Sequence, residues 1–198
     1  MRQLMYLLLL AAIGMACVAE DGKDNGTQLA PLFLKASRGE PLSQTQIELC
    51  MGQVHSELNH MERELTEAFK ASKDATTKFC LAYMMGRYRF RLAAEVLSKE
   101  IGLRNHAYDE EPPNREPLFG EYPIASALIQ IGNHSIPYMI ENVRSSTDEK
   151  IRELSVRVIR HVEGEEVAAF ILRRAADKEE SVEKKRRLLA ALESLQNE

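Results

Sequence analysis

Paired apolar stripes, each about one helix long and joined by a tight turn, recur along the C-terminal two thirds of the chain. Neither member of a pair can hide its own stripe, so each pair must stack on its neighbours. The clearest copy contains "ASALIQIGNHSIPYMIENV", residues 125–143. Pro123 sits at a helix start, where its missing N–H costs nothing, and Gly132 ends that helix. Ser135 is placed to cap the next helix, with Pro137 near its start. The spacing predicts buried stripes at Ile124, Ala127, Leu128 and Ile131, then Ile136, Met139, Ile140 and Val143.

An earlier copy has Asp74 as a cap, Gly86 after its first helix, and Phe90, Ala93, Leu97 and Ile101 along its second. A later one starts at Thr147. There Val162 lies 31 residues after Ile131, and each is followed five residues on by an aliphatic, Val167 or Ile136. A last helix runs through Val182, Leu189, Leu192 and Leu195. A period near 31 built from helix pairs predicts an all-α chain, an α-solenoid.

Residues 74–195 resemble HEAT repeats in the short form found in bacterial HEAT-like proteins. The likeness rests on Asp148 with Arg152, on Val158 and Val162, and on "ALIQIGNHSIPYMI". Asp74 and Lys78 repeat the spacing of Asp148 and Arg152, four residues that bring opposite charges together across one helical turn. The resemblance implies a solenoid of helix pairs over residues 74–198 that presents one continuous surface lined by the second helices.

Residues 43–73 lie outside that likeness and read as one long amphipathic helix. Ser43 and Gln46 form a capping box at its start. Ile47, Met51, Val54, Leu58, Met61, Leu65 and Ala68 make a heptad-like seam flanked by Glu57, Glu62 and Glu64. Such a seam suits a coiled-coil dimer or a cover for the repeats, and the second is expected because a stack needs a capped end.

The N-terminus carries an address. "MRQLMYLLLLAAIGMACVAEDG" has one Arg, an apolar run from Leu4 to Ala16, then small and acidic residues. The run is short for a bilayer span and matches a signal peptide, predicted over residues 1–19. Cleavage after Ala19 uses Cys17 and Ala19; cleavage after Ala16 uses Gly14 and Ala16. "GMAC" also resembles a lipobox, with Gly14 where that motif prefers Leu, so lipidation at Cys17 is the alternative. The expected product is periplasmic or secreted, or else a membrane-anchored lipoprotein. Residues 20–42 then form a polar tether.

Little in the sequence supports catalysis. His55 and His60 are five apart and face different ways on a helix, and the zinc-helix pattern is absent. No Gly-rich phosphate loop, nucleophile elbow or paired-cysteine zinc signature is present. Neither cofactor nor metal is expected. A formal net charge of −4 and the absence of Trp argue against a general nucleic-acid binder. "EKKRR" at residues 183–187 reads as the outer face of a terminal helix, neutralised by Glu179, Glu180 and Glu183. A hairpin turning near residue 73 would put Cys50 and Cys80 roughly 24 Å apart along the axis, too far for a disulfide. Two free, largely buried thiols are expected.

The segment 103–122 carries three Pro and the acidic cluster Asp109, Glu110 and Glu111, and reads as a binding loop or a solvated connector. The function expected is therefore an exported, non-enzymatic scaffold for a protein or peptide partner. Its candidate contacts are Tyr138, Glu141, Arg173 and Arg174 on the second helices. The alternative is a small-ligand binder or enzyme. Some HEAT-like proteins resemble bilin lyases, which hold a tetrapyrrole in the concavity, and residues 103–122 would then be a lid.

Overall fold

The computed structural model describes residues 43–106 and 120–197, together with Leu32, Lys35 and Arg38. The expected leader, Cys17, most of the tether and residues 107–119 of the insertion lie outside the described residues. What is described is helical, with no strand among the described residues. The helices are α1 Gln44–Ala71, α2 Ala75–Arg87, α3 Ala93–Ser98, α4 Pro123–Ile131, α5 Ile136–Ser145, α6 Glu149–Glu163, α7 Glu165–Lys178 and α8 Val182–Asn197. A 3-10 turn, Gly132–His134, joins α4 to α5.

The chain divides into two compact units, Met1–Met61 and Glu62–Glu198. In the first, the capping box forms as predicted. The Ser43 N–H donates to Gln46 Oε1 at 3.0 Å, and the Gln46 N–H returns a bond to Ser43 Oγ at 3.3 Å. Ile47, Leu49 and Met51 on this part of α1 are exposed.

In the second unit the last turns of α1 bury Glu62, Thr66 and Phe69, whereas Ala68 of the expected seam is exposed. The face buried here lies one residue, about 100°, round the helix from the expected seam. Glu62 accepts from the Leu92 N–H at 2.6 Å, which satisfies an open donor at the start of α3. Lys78 Nζ lies 5.3 Å from the centre of the Phe69 ring.

The first helices of the expected pairs follow one another, α2 on α4, α4 on α6 and α6 on α8. Among the second helices, α3 meets α5, but α5 does not continue onto α7. It packs instead on α6 and α8. Since α7 also packs on α6 and α8, the last four helices close into a ring with α5 and α7 at opposite corners. The links differ accordingly: Gly132 to Ser135 join α4 and α5, while Gly164 alone, at φ 81°, joins α6 and α7.

The predicted stripes of the middle pair are sound. Ile124, Ala127, Leu128, Ile131, Ile136, Met139 and Val143 are buried, and Ile140 is half-buried. Elsewhere the register changes. Val167, expected to match buried Ile136, is 45% exposed. On α8, Val182 and Leu189 are exposed, while Leu188, Ala191, Leu192 and Leu195 form the buried face. Ser135 is fully buried, and its hydroxyl donates to the Gly132 carbonyl at 2.8 Å instead of capping α5.

Asp74 and Asp148 are N-caps, but neither pairs with the cation four residues on. Asp74 Oδ2 accepts from the Thr77 N–H and the Thr77 hydroxyl, each at 2.7 Å. Lys78 instead bridges to Glu100 on the far side of α3. Asp148 Oδ1 accepts from Lys150 N–H at 2.8 Å, and Arg152 donates to the Ser146 carbonyl at 3.0 Å. At a cap the carboxylate turns back onto open N–H groups, which draws it away from a side chain one turn ahead.

Gly86 does not end α2; it lies buried inside it. A Cβ there would sit 2.8 Å from the Ala127 Cα, so the missing side chain lets α2 and α4 approach backbone to backbone. The helix ends at Arg87 in a Schellman motif, with Phe90 N–H bonded to the Met85 carbonyl and Arg89 N–H to the Gly86 carbonyl. Arg89 occupies the left-handed position at φ 54°, normally taken by glycine, at a cost of roughly 1–2 kcal/mol.

Two tests follow from this packing. Gly86→Ala should lower the denaturant midpoint, because overpacking of about 1–3 kcal/mol outweighs the gain of about 1 kcal/mol in helix propensity. Gly52→Ala in α1, where nothing lies within 4 Å, should not lower it. The second test concerns Asp74, whose carboxyl is held below the ordinary range first by the Thr77 hydroxyl and then by the Thr77 N–H. A depressed folded pKa contributes stability above the unfolded value and loses it as pH falls through the folded one. Urea melts of wild type and Asp74→Ala should therefore differ most near neutrality and converge on acidification.

Candidate functional site

Three surfaces of the second unit gather polar side chains. The first is a groove of roughly 210 Å³ between α6 and α8, lined by Glu149, Arg152, Glu153, Arg157, Arg160 and Arg187 over an apolar floor. Its arginines are held from within. Arg152 is on the Ser146 carbonyl, Arg157 Nε lies 3.5 Å from Glu153, and Arg187 pairs with Glu183. Arg187 Nη1 also donates to the Ser145 carbonyl at 3.1 Å and, more weakly, to that of Arg144 at 3.4 Å. It thereby caps the C-terminus of α5 and does not lie on the outer face expected for "EKKRR".

The second surface is the outward face of α7. Phe170 is 63% exposed, beside Val167 one turn before it and Arg173 and Arg174 one turn after. Neither arginine side chain is engaged by a hydrogen bond or ion pair among the described residues. An exposed aromatic one turn before two unengaged guanidinium groups has the make-up of an interface anchor. Arg173 and Arg174 are among the contacts expected from the sequence; Phe170 is not, and its place one turn before them on α7 is the signal that points to it.

Tyr138 and Glu141 stand apart from this face. Both are on α5, at the opposite corner of the ring from α7. Tyr138 is half-buried. Glu141 accepts from Ser145 Oγ and pairs with Arg144. The Ser145 hydroxyl foremost, with the Arg144 charge, holds its carboxyl below the usual range against the opposing effect of burial. Arg144 reaches on to Glu179 at 3.4 Å, before α8. The Arg144–Glu179 pair ties the end of α5 to the link between α7 and α8, while Tyr138 and Glu141 lie on a different helix from Arg173 and Arg174.

The third is a depression of roughly 220 Å³ lined by Tyr83, Gly86, Arg87, Arg89 and Gln130, where α2 meets α4. Both depressions are smaller than the about 300–1,000 Å³ usual for small-molecule sites.

No group of three or more His, Cys, Asp or Glu suited to a metal ion occurs among the described residues. His55, His60, His106, His134 and His161 are all exposed. Cys80 is free and exposed rather than buried, because it lies on the solvent side of α2; the side chain of Cys50 is outside the described set. No described helix is long and apolar enough to cross a membrane.

No family model, curated protein or solved structure matches the chain. What is defined at this point is an all-helical chain whose last four helices close on one another.

Proposed function

We propose that the chain is an exported, non-enzymatic scaffold that holds a protein or peptide partner on the outward face of α7. The observation that carries this reading is Phe170, a large apolar side chain in solvent with Arg173 and Arg174 one turn away. Aromatic and Arg side chains supply most of the energy at protein interfaces, and an unengaged guanidinium has its N–H donors available for a partner's carboxylates. Export rests on the N-terminal sequence, with a lipid anchor at Cys17 as its variant. A HEAT-like ancestry draws support from the succession α2, α4, α6, α8 of first helices, while closure at α8 would make this a short, ended array. The modest size of the α6–α8 groove favours a surface contact over an enclosed small ligand.

The reading is tested with tagged wild type, Phe170→Asp and Arg174→Ala chains recovered from the envelope and extracellular fractions. A protein that copurifies with wild type should be depleted by either substitution. Arg174→Ala should change unfolding free energy by less than about 0.5 kcal/mol, as for other exposed sites. Recovery of the same proteins with all three chains would remove the α7 face from the account.

A further inference from the structure

The depression at the meeting of α2 and α4 has a composition that the protein-binding reading does not use. Tyr83 and Arg87 lie one turn apart on α2, Arg89 follows in its C-terminal turn, and Gln130 comes from α4. Two arginines, a tyrosine and a glutamine thus border one space, and no acidic residue lines it. None of the four side chains is engaged by a hydrogen bond or ion pair among the described residues. This sets the depression apart from the α6–α8 groove, where partners within the chain hold Arg152, Arg157 and Arg187.

Two further features belong to the same place. Gly86 forms one wall, and its lack of a side chain brings α2 against Ala127, one turn before Gln130. Arg89 is the only non-glycine residue at positive φ among the described residues. A glycine would fill that left-handed position without strain, so an arginine there calls for a role for its side chain.

We propose that this depression binds a phosphate monoester. Two fixed positive charges with no internal counter-charge match a group carrying between one and two negative charges near neutrality. The planar, forked guanidinium donors of Arg87 and Arg89 suit phosphate oxygens, and Tyr83 and Gln130 offer further donors. The group can reach the site on a soluble ester or on a lipid headgroup, and the chemistry recognised is the same.

The test uses the full chain and phenyl phosphate in isothermal titration calorimetry, with acetate as the carboxylate control. Saturable binding of phenyl phosphate is expected, weakened at least about tenfold by Arg87→Gln and by Arg89→Gly. The Arg89→Gly chain should melt no lower than wild type, since glycine relieves the left-handed residue. Arg91→Gln, next in the turn but outside the depression, should bind like wild type. Flotation with phosphatidylcholine vesicles containing phosphatidic acid, and not with phosphatidylcholine alone, would assign a headgroup source; retained phenyl phosphate binding without flotation would assign a soluble ester. Absence of saturable phenyl phosphate binding, equal affinity for acetate, or full affinity in Arg89→Gly would overturn the proposal.

Discussion

The C-terminal half of this protein turns on what becomes of the open carbonyls at the end of α5. A helix leaves its last carbonyls without internal partners, and here one guanidinium from a helix about forty residues further on takes two of them. Arg187 can do so only if α8 lies against α5. Arg144 ties the same end of α5 to Glu179, and Glu179 in turn accepts from the Ser181 N–H ahead of α8. With α8 packed on both α5 and α7, the outward face of α7 is left in solvent with Phe170 on it. The surface proposed to bind a partner is thus a consequence of how the array ends.

At the other end, the constraint is close approach. Gly86 against Ala127 seats α2 on α4 and brings Gln130 beside Arg87. Glu62, a buried carboxylate, holds the start of α3 through the Leu92 N–H. Both residues look ordinary in the sequence: Gly86 as a helix stop and Glu62 as a solvated flank. Their roles depend on contacts between segments distant in the chain, and a local pattern carries no record of those.

Local features were legible where local chemistry decides them. The Ser43–Gln46 capping box, the cap at Asp74, Pro123 at its helix start and Gly132 at its end each depend on a few consecutive residues. The stripes of the middle pair were legible because α4 and α5 are packed by neighbours on their apolar sides. The stripe of α8 was not. Val182 and Leu189 fit the spacing as well as Leu188 and Ala191 do, and only the position of α5, α6 and α7 selects between the two faces. The seam of α1 does not hold in its last turns, where the packed face lies one residue round from it and buries Glu62, Thr66 and Phe69, a choice made by distant segments. Of the candidate contacts, Arg173 and Arg174 keep their exposure and gain Phe170 as a neighbour. Glu141 is held by Arg144 and Ser145 of its own helix, on α5 and not on α7.

Closure of the last four helices is the central claim, and carbodiimide cross-linking of an Arg144→Lys chain tests it most directly. The lysine amine at that position has two carboxylates to choose between, Glu141 one turn away on α5 and Glu179 before α8. If α5 lies against α8, peptide mapping of the folded chain should show an isopeptide bond joining residues 144 and 179, absent when the reaction is run in denaturant. Coupling of residue 144 to Glu141 alone would mean that the end of α5 does not reach the link between α7 and α8, and that the last four helices do not close.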